Sequence, residues 1–190
     1  ITSASESKGA RSIKETALHR NPFFVLGATS RDDRRRIVEL AEERSLAIDH
    51  EACQKARSDL TNPRTRLGAE IAWLPGVSPR KAEQLARRVL EDPLSIRSES
   101  GLPILAHVNL MAAAFEAIGD QDAPDDVAAF IQEIGDLVEC LTVDDILRDI
   151  NEDRAISGFP EVKSGEQIES ELTERKRYFR NAIKEALNRL

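Results

Sequence analysis

The sequence predicts an all-α fold, and three observations carry that expectation. Of the 190 residues, 41% are apolar, 32% charged and only 4% aromatic. That mixture, mostly Ala, Leu, Ile and Val among Glu, Arg and Asp, suits helices better than sheets. Apolar residues recur at helical spacing in nearly every segment, without strand-like alternation. The segments are separated by clear start and stop signals, with Ser or Asn before Pro at one end and Pro-Gly at the other. At this length a core can form without disulfides or metal.

In chain order, Arg11 to Leu18 reads as a short helix, followed by an apolar turn from Asn21 to Gly27. Ser30 with Asp33 three residues on reads as a capping box, opening a helix to about Leu46 with Ile37, Leu40, Ala41 and Leu46 inward. A short break at Ile48-Asp49-His50 leads to a second helix, Glu51 to Leu60, with Ala52, Cys53, Ala56 and Leu60 on one face, and the two should pack antiparallel. Thr61-Asn62-Pro63 starts a third, whose stripe of Leu67, Ile71 and Leu74 ends at Pro75-Gly76. Ser78-Pro79 starts a fourth, running to about Leu90 with Ala82, Leu85, Ala86 and Val89 inward.

After a connector from Asp92 to Gly101, Pro103 opens the most apolar helix, through Val108, Met111, Phe115 and Ile118, which belongs near the centre of the molecule. Asp120 to Asp126 is an acidic linker. Helices from Pro124 to about Val138 and from Val143 to about Ala155 follow, the latter capped by Thr142 with Asp145. Ser164 with Gln167 opens a long last helix carrying Ile168, Leu172, Arg175, Phe179, Ile183 and Leu187 at a spacing of 3.5 to 4. Three parts are therefore expected: a flexible segment over 1–20, a helical unit over 21–90 and a helical C-terminal unit over 91–190.

The longest apolar stretch, Ile104 to Phe115, is too short to cross a bilayer, and the Ser-rich start has no apolar signal-peptide core, so a cytoplasmic protein without membrane contact is expected. The chain opens on Ile1 and its last helix has no stop signal, so either the protein ends on that helix or the chain is a piece of a longer one. Cys53 and Cys140 lie far apart without metal-ligand spacing and are expected to be buried core thiols.

The net charge of −7 is unevenly distributed. Residues 1–90 carry 17 Lys+Arg against 12 Asp+Glu, residues 91–163 carry 4 against 17, and residues 164–190 carry 6 against 5. A basic first half beside an acidic middle can present opposite surfaces to different partners. A basic face of Arg34, Arg35, Arg36, Arg80, Arg87 and Arg88 is one candidate partner-binding surface. The seam of Leu172, Phe179, Ile183 and Leu187 is the other, either packed on the preceding helices or docking another subunit.

The stretch from Asn21 to Gly76 resembles the J-domain of the DnaJ co-chaperone family. The resemblance lies in Pro22-Phe23-Phe24-Val25-Leu26-Gly27, in the helix pair Arg31–Leu46 and Glu51–Leu60, and in Asp59-Leu60-Thr61-Asn62-Pro63-Arg64-Thr65-Arg66-Leu67. It implies a J-domain-like helical hairpin unit followed by a helical bundle with a long C-terminal amphipathic helix. J-domains carry His-Pro-Asp between the paired helices to stimulate a DnaK-type ATPase, whereas this chain has Ile48-Asp49-His50-Glu51. Its arginines lie at the far end of the first long helix, with Glu39, Glu42 and Glu43 nearer the loop, where like charge repels an acidic chaperone surface. The resemblance therefore implies the fold and not the activity, although an active co-chaperone remains a third reading.

Leu74-Pro75-Gly76-Val77-Ser78-Pro79-Arg80-Lys81 is also similar to the turn of a helix-hairpin-helix DNA-binding motif. There Gly76 and Ser78 would let backbone amides approach a phosphate, and Arg80 and Lys81 would add charge, giving sequence-independent nucleic-acid binding. Ser78 stands where that motif has its second glycine.

No catalytic constellation is legible. His19, His50 and His107 fall in different elements, and there is no phosphate-binding glycine loop, nucleophile elbow or His-Glu-x-x-His helix. Asp125-Asp126 and Asp144-Asp145 fall in first helical turns, where their charge complements the helix dipole. The sequence thus points to a non-catalytic adaptor or scaffold module with a protein partner or self-association, without cofactor or metal. Nucleic-acid binding at residues 74–82 is the alternative.

Overall fold

A computed structural model describes residues 16–118 and 123–189. The described residues contain helices and no strand. A 3-10 turn at Leu18–Arg20 precedes α1 (Pro22–Leu26), α2 (Arg34–Arg44), α3 (His50–Thr61), α4 (Pro63–Ile71) and α5 (Pro79–Glu91). A second 3-10 turn, Pro93–Ser98, leads to α6 (Ile104–Ala117), α7 (Pro124–Glu139), α8 (Val143–Ser157) and α9 (Gly165–Arg189). Most of the expected Arg11–Leu18 helix, and Asp120 to Asp122 of the expected linker, lie outside the described residues. Asp125 and Asp126 occupy the first turn of α7.

The starts follow local chemistry. Asn21, Asn62 and Thr142 each accept a hydrogen bond from a backbone N–H of the turn they cap, and Pro22 and Pro63 follow the two asparagines at the first helical position. α2 corrects the expected capping box. Asp33 is its cap, accepting from the Arg36 N–H at 2.8 Å, while Ser30 is buried and its hydroxyl donates to Asp153 at 2.9 Å. A long-range partner outcompetes the local cap.

α2 also ends earlier than its apolar pattern suggests. Its last residue is Arg44, so Leu46 lies beyond the helix on the connection to α3 and is 91% exposed instead of inward. On α3, Cys53, Ala56 and Leu60 are buried at a spacing of three and four, and Ala52 is exposed. Cys53 is a core thiol as expected, but Cys140 is exposed, because α7 ends at Glu139 and Cys140 falls in the turn that follows.

α6 lies at the centre, with ten of the eleven side chains from Leu105 to Phe115 buried and His107 half-buried. α5 and the Pro93–Ser98 turn pack on one side of it and α7 on another, while α1 and α2 pack on α3. One apolar cluster runs from Leu18, Phe23 and Leu26 through Ile37 and Leu60 to Leu110, Met111, Phe115, Phe130 and Ala186. A second joins Leu67 and Ile71 of α4 to Ile146 and Ile150 of α8 and to Ile168 and Leu172 of α9. Both clusters cross the position after residue 90, so each side buries apolar surface on the other.

Candidate functional site

The first half of the chain is tied to α8 by a set of buried charges. Asp153 accepts from the Ser30 hydroxyl at 2.9 Å, from the Gly76 backbone N–H at 3.0 Å and from Arg31 Nε at 3.1 Å. Its neighbour Arg154 donates to the Glu70 carboxylate through Nε and Nη2, the latter at 2.6 Å, and to the Pro160 and Pro63 carbonyls at 2.9 Å each. Arg66, fully buried, donates to the Leu60 and Ser30 carbonyls at 3.2 and 3.0 Å and lies 3.9 Å from the Phe159 ring centre. Burial pushes the Glu70 carboxyl up from its usual range, against the pull of Arg154 and Arg66. Burial likewise lowers Arg66, with Glu70 opposing.

Asn109 of α6 performs a similar task beside it. Its Nδ2 donates to the Ile71 and Trp73 carbonyls at 2.8 and 2.6 Å, where α4 has run out of helical N–H donors. Arg175 of α9 donates to Asn109 Oδ1 and lies over the rings of Tyr178 and Phe179. Desolvation pulls Arg175 down to about 10, which leaves it cationic at neutral pH. Trp73 is thereby fixed at the end of α4, with Phe23 stacked on it at 6.1 Å.

Trp73 forms the back of a cavity of about 560 Å³ between α1 and α5. Phe23 and Phe24 form one wall, and Ala82, Ala86 and Leu90 of α5 form the other. Ala82 and Ala86 lie one helical turn apart, and their single methyl groups leave the space that larger inward side chains would fill. Phe24 is 38% exposed and edge-on to His19 at 4.7 Å. His19 is buried, with Nε2 donating to the Ala86 carbonyl at 2.8 Å and Nδ1 accepting from the Thr16 hydroxyl. It is a structural histidine that buttresses the cavity.

The rim is basic. Arg44, Arg80 and Arg87 line the cavity together with a single acidic residue, Glu83. Among the described residues Arg44 and Arg80 form no ion pair, and Arg87 meets Glu83 at 3.1 Å on the exposed surface. Arg44 reaches the rim because Gly27, left-handed at φ +64°, has no side chain: a Cβ there would lie 2.6 Å from Arg44 Nη2. An apolar pocket with a cationic edge suits an anionic amphiphile, above all an acidic segment that presents an apolar side chain.

The other residues singled out in the sequence are placed as follows. Arg80 and Arg87 share the cavity, while Arg35 and Arg36 pair with Glu39 on their own helix and Arg36 also with Glu43. Arg34 lies 5.7 Å from the Phe159 ring centre. Arg88 and Lys81 both meet Glu99, and the Arg88 bond holds that carboxyl below its usual range. In the hairpin, Gly76 is left-handed at φ +79° and its N–H is engaged by Asp153, while a Cβ would stand 3.0 Å from Pro103 and 3.1 Å from Asp149. Ser78 is exposed and makes no side-chain cap. In the seam, Leu172 and Phe179 are buried and Ile183 packs on the main cluster, whereas Leu187 is 54% exposed and Ala186 takes the inward position three residues after Ile183.

His50 is exposed on the first turn of α3, which Asp49 caps. His107 is half-buried, and desolvation lowers its pKa. Among the described residues no three His, Cys, Asp or Glu side chains group as metal ligands, and no helix is long and apolar enough to cross a membrane. Glu70, Asp153 and Arg154 are not singled out by the sequence pattern, and Arg66 stands there only within the J-domain-like stretch, yet α8 shows a signal: its stripe Ile146, Ile150, Asp153, Ser157 continues inward at helical spacing through a charged residue. No protein-family model matches this chain, and comparisons with curated proteins and with solved structures also gave no match.

Proposed function

We propose that this protein is a non-catalytic interaction module, an adaptor or scaffold, whose partner binds the arginine-rimmed cavity between α1 and α5. One observation carries the reading: Phe24, Trp73, Ala82 and Ala86 enclose an apolar space whose edge holds three arginines against one glutamate in a chain of net charge −7. Charge of that sign at that place steers and orients an acidic partner.

In this reading the J-domain-like unit over residues 21–76 is degenerate. The connection where J-domains carry His-Pro-Asp here presents Leu46 and Ile48, with Asp49 occupied as the α3 cap. The module therefore leaves the ATPase rate of a DnaK-type chaperone unchanged. Nucleic-acid binding through the 74–82 hairpin is the weaker reading, since Asp153 already holds the Gly76 amide that would approach a phosphate. The unpaired thiols Cys53 and Cys140 suit a reducing compartment, and we place the protein in the cytoplasm.

Trp73, the only tryptophan of the chain, reports on the cavity from within. Titration with an acidic peptide bearing Leu and Phe should change its emission saturably, and Arg80→Glu with Arg87→Glu should remove the response. A flat emission at every peptide concentration overturns the reading.

A further inference from the structure

The cavity has a complementary feature on the same molecule. Leu46 is the most exposed large apolar residue among the described residues, at 91%, and Ile48 beside it is 41% exposed. Both lie on the connection between α2 and α3, and the exposed residues that flank them carry four carboxylates, Glu42, Glu43, Asp49 and Glu51, against one arginine, Arg44. An apolar tip with an acidic edge thus matches an apolar cavity with a basic rim.

Arg44, two residues before Leu46, forms part of the rim, and Leu46 itself is exposed to solvent. That proximity has a consequence for two copies. If the tip of one copy enters the cavity of the other, the two-fold operation brings the second tip to the first cavity, and both contacts form within one interface.

We propose that the occupant of the cavity is the α2–α3 connection of a second copy of this chain, in a reciprocal two-fold dimer. Leu46 fills the space against Phe24 and Ala82. Glu42 and Glu51 of one copy face Arg80 and Arg87 of the other. Self-complementarity favours this occupant over a foreign acidic segment, because both halves of the match are present in one chain. The proposal rests on the reading of the cavity as an interaction site, and it fails separately from that reading.

Sedimentation of the chain over micromolar to submillimolar concentrations tests it. The wild type should pass from monomer to dimer. Leu46→Asp, on an exposed residue, should remain monomeric with an unchanged circular dichroism spectrum, and so should Arg80→Glu with Arg87→Glu. Mixing those two variants should restore association, because the first retains an intact cavity and the second an intact tip. A wild type that stays monomeric, a Leu46→Asp dimer, or a mixture with no gain in association each overturns the proposal. A monomeric wild type whose Trp73 still responds to the acidic peptide overturns the dimer alone, whereas loss of that response in monomeric Leu46→Asp overturns the cavity reading too.

Discussion

Arg175 of α9 reaches Asn109 of α6 with two hydrogen bonds, at 3.2 and 2.9 Å, while the amide nitrogen of Asn109 caps the Ile71 and Trp73 carbonyls. One buried amide thus links the last helix, the central helix and the end of α4 that positions the cavity tryptophan.

Replacing that amide should be costly. Asn109→Leu retains the volume but leaves two carbonyls and a half-buried guanidinium without their partner. A loss of about 2–5 kcal/mol is expected from several unsatisfied buried groups, read as a fall in the urea midpoint. A shift in Trp73 emission without ligand should accompany it. Wild-type stability in Asn109→Leu would contradict this role.

The Glu70–Arg154 pair makes a second case. Both side chains are buried, with the guanidinium also satisfying Pro63 and Pro160. Arg154→Met should cost about 2–5 kcal/mol, because the Pro63 and Pro160 carbonyls and one side of the Glu70 carboxylate lose their buried donor. Adding Glu70→Gln should increase that loss, because buried Arg66, 3.5 Å from Glu70, then loses the carboxylate it faces. A double variant more stable than Arg154→Met would count against this shared role of Glu70.

His107 predicts a pH dependence. Desolvation holds its folded-state pKa below the usual value near 6.5, against the pull of the Ile96 backbone hydrogen bond and the charges of Glu99 and Glu133. Above that value the imidazole is neutral in both states. As the pH falls through it, the unfolded chain takes a proton that the folded chain resists, so stability is lost toward acid. The stability difference between wild type and His107→Gln should therefore shrink on going from pH 7.5 to pH 5.5. A constant difference would rule the histidine out as the source.

Gly76 gives a backbone test. Its φ of +79° disfavours any side chain, and a Cβ would meet Pro103 and Asp149 at 3.0 and 3.1 Å. Gly76→Ala should destabilise by more than the roughly 1 kcal/mol of left-handed strain alone. Retained stability would show that the α4–α5 hairpin can move away from α8.

Much of the helical framework was legible in the sequence because caps and prolines act locally: Asn62-Pro63 and Thr142 start helices where the pattern placed them. Long-range contacts were not legible. Ser30 turned from a cap into a ligand of Asp153, 123 residues away, and no spacing near Ser30 signals that partner. Leu46 misled because an apolar residue continues the α2 stripe although the helix stops at Arg44. The basic residues at 80 and 87 were visible, but the cavity between them depends on Ala82 and Ala86 facing two aromatic rings from another helix, and only tertiary packing brings those together.

Binding of an acidic apolar segment by the arginines of the α1–α5 cavity, as proposed, depends on charge. Trp73 emission measured in a two-by-two charge exchange tests it most directly. The peptide is residues 42–51 of this chain, and its counterpart carries lysine at each glutamate. The receptors are Leu46→Asp and the same chain with Arg80→Glu and Arg87→Glu. The acidic peptide should bind the arginine cavity and the lysine peptide the reversed one, with the crossed pairs weaker by at least tenfold, about 1.4 kcal/mol. Equal binding in all four combinations, or none in any, would contradict the account.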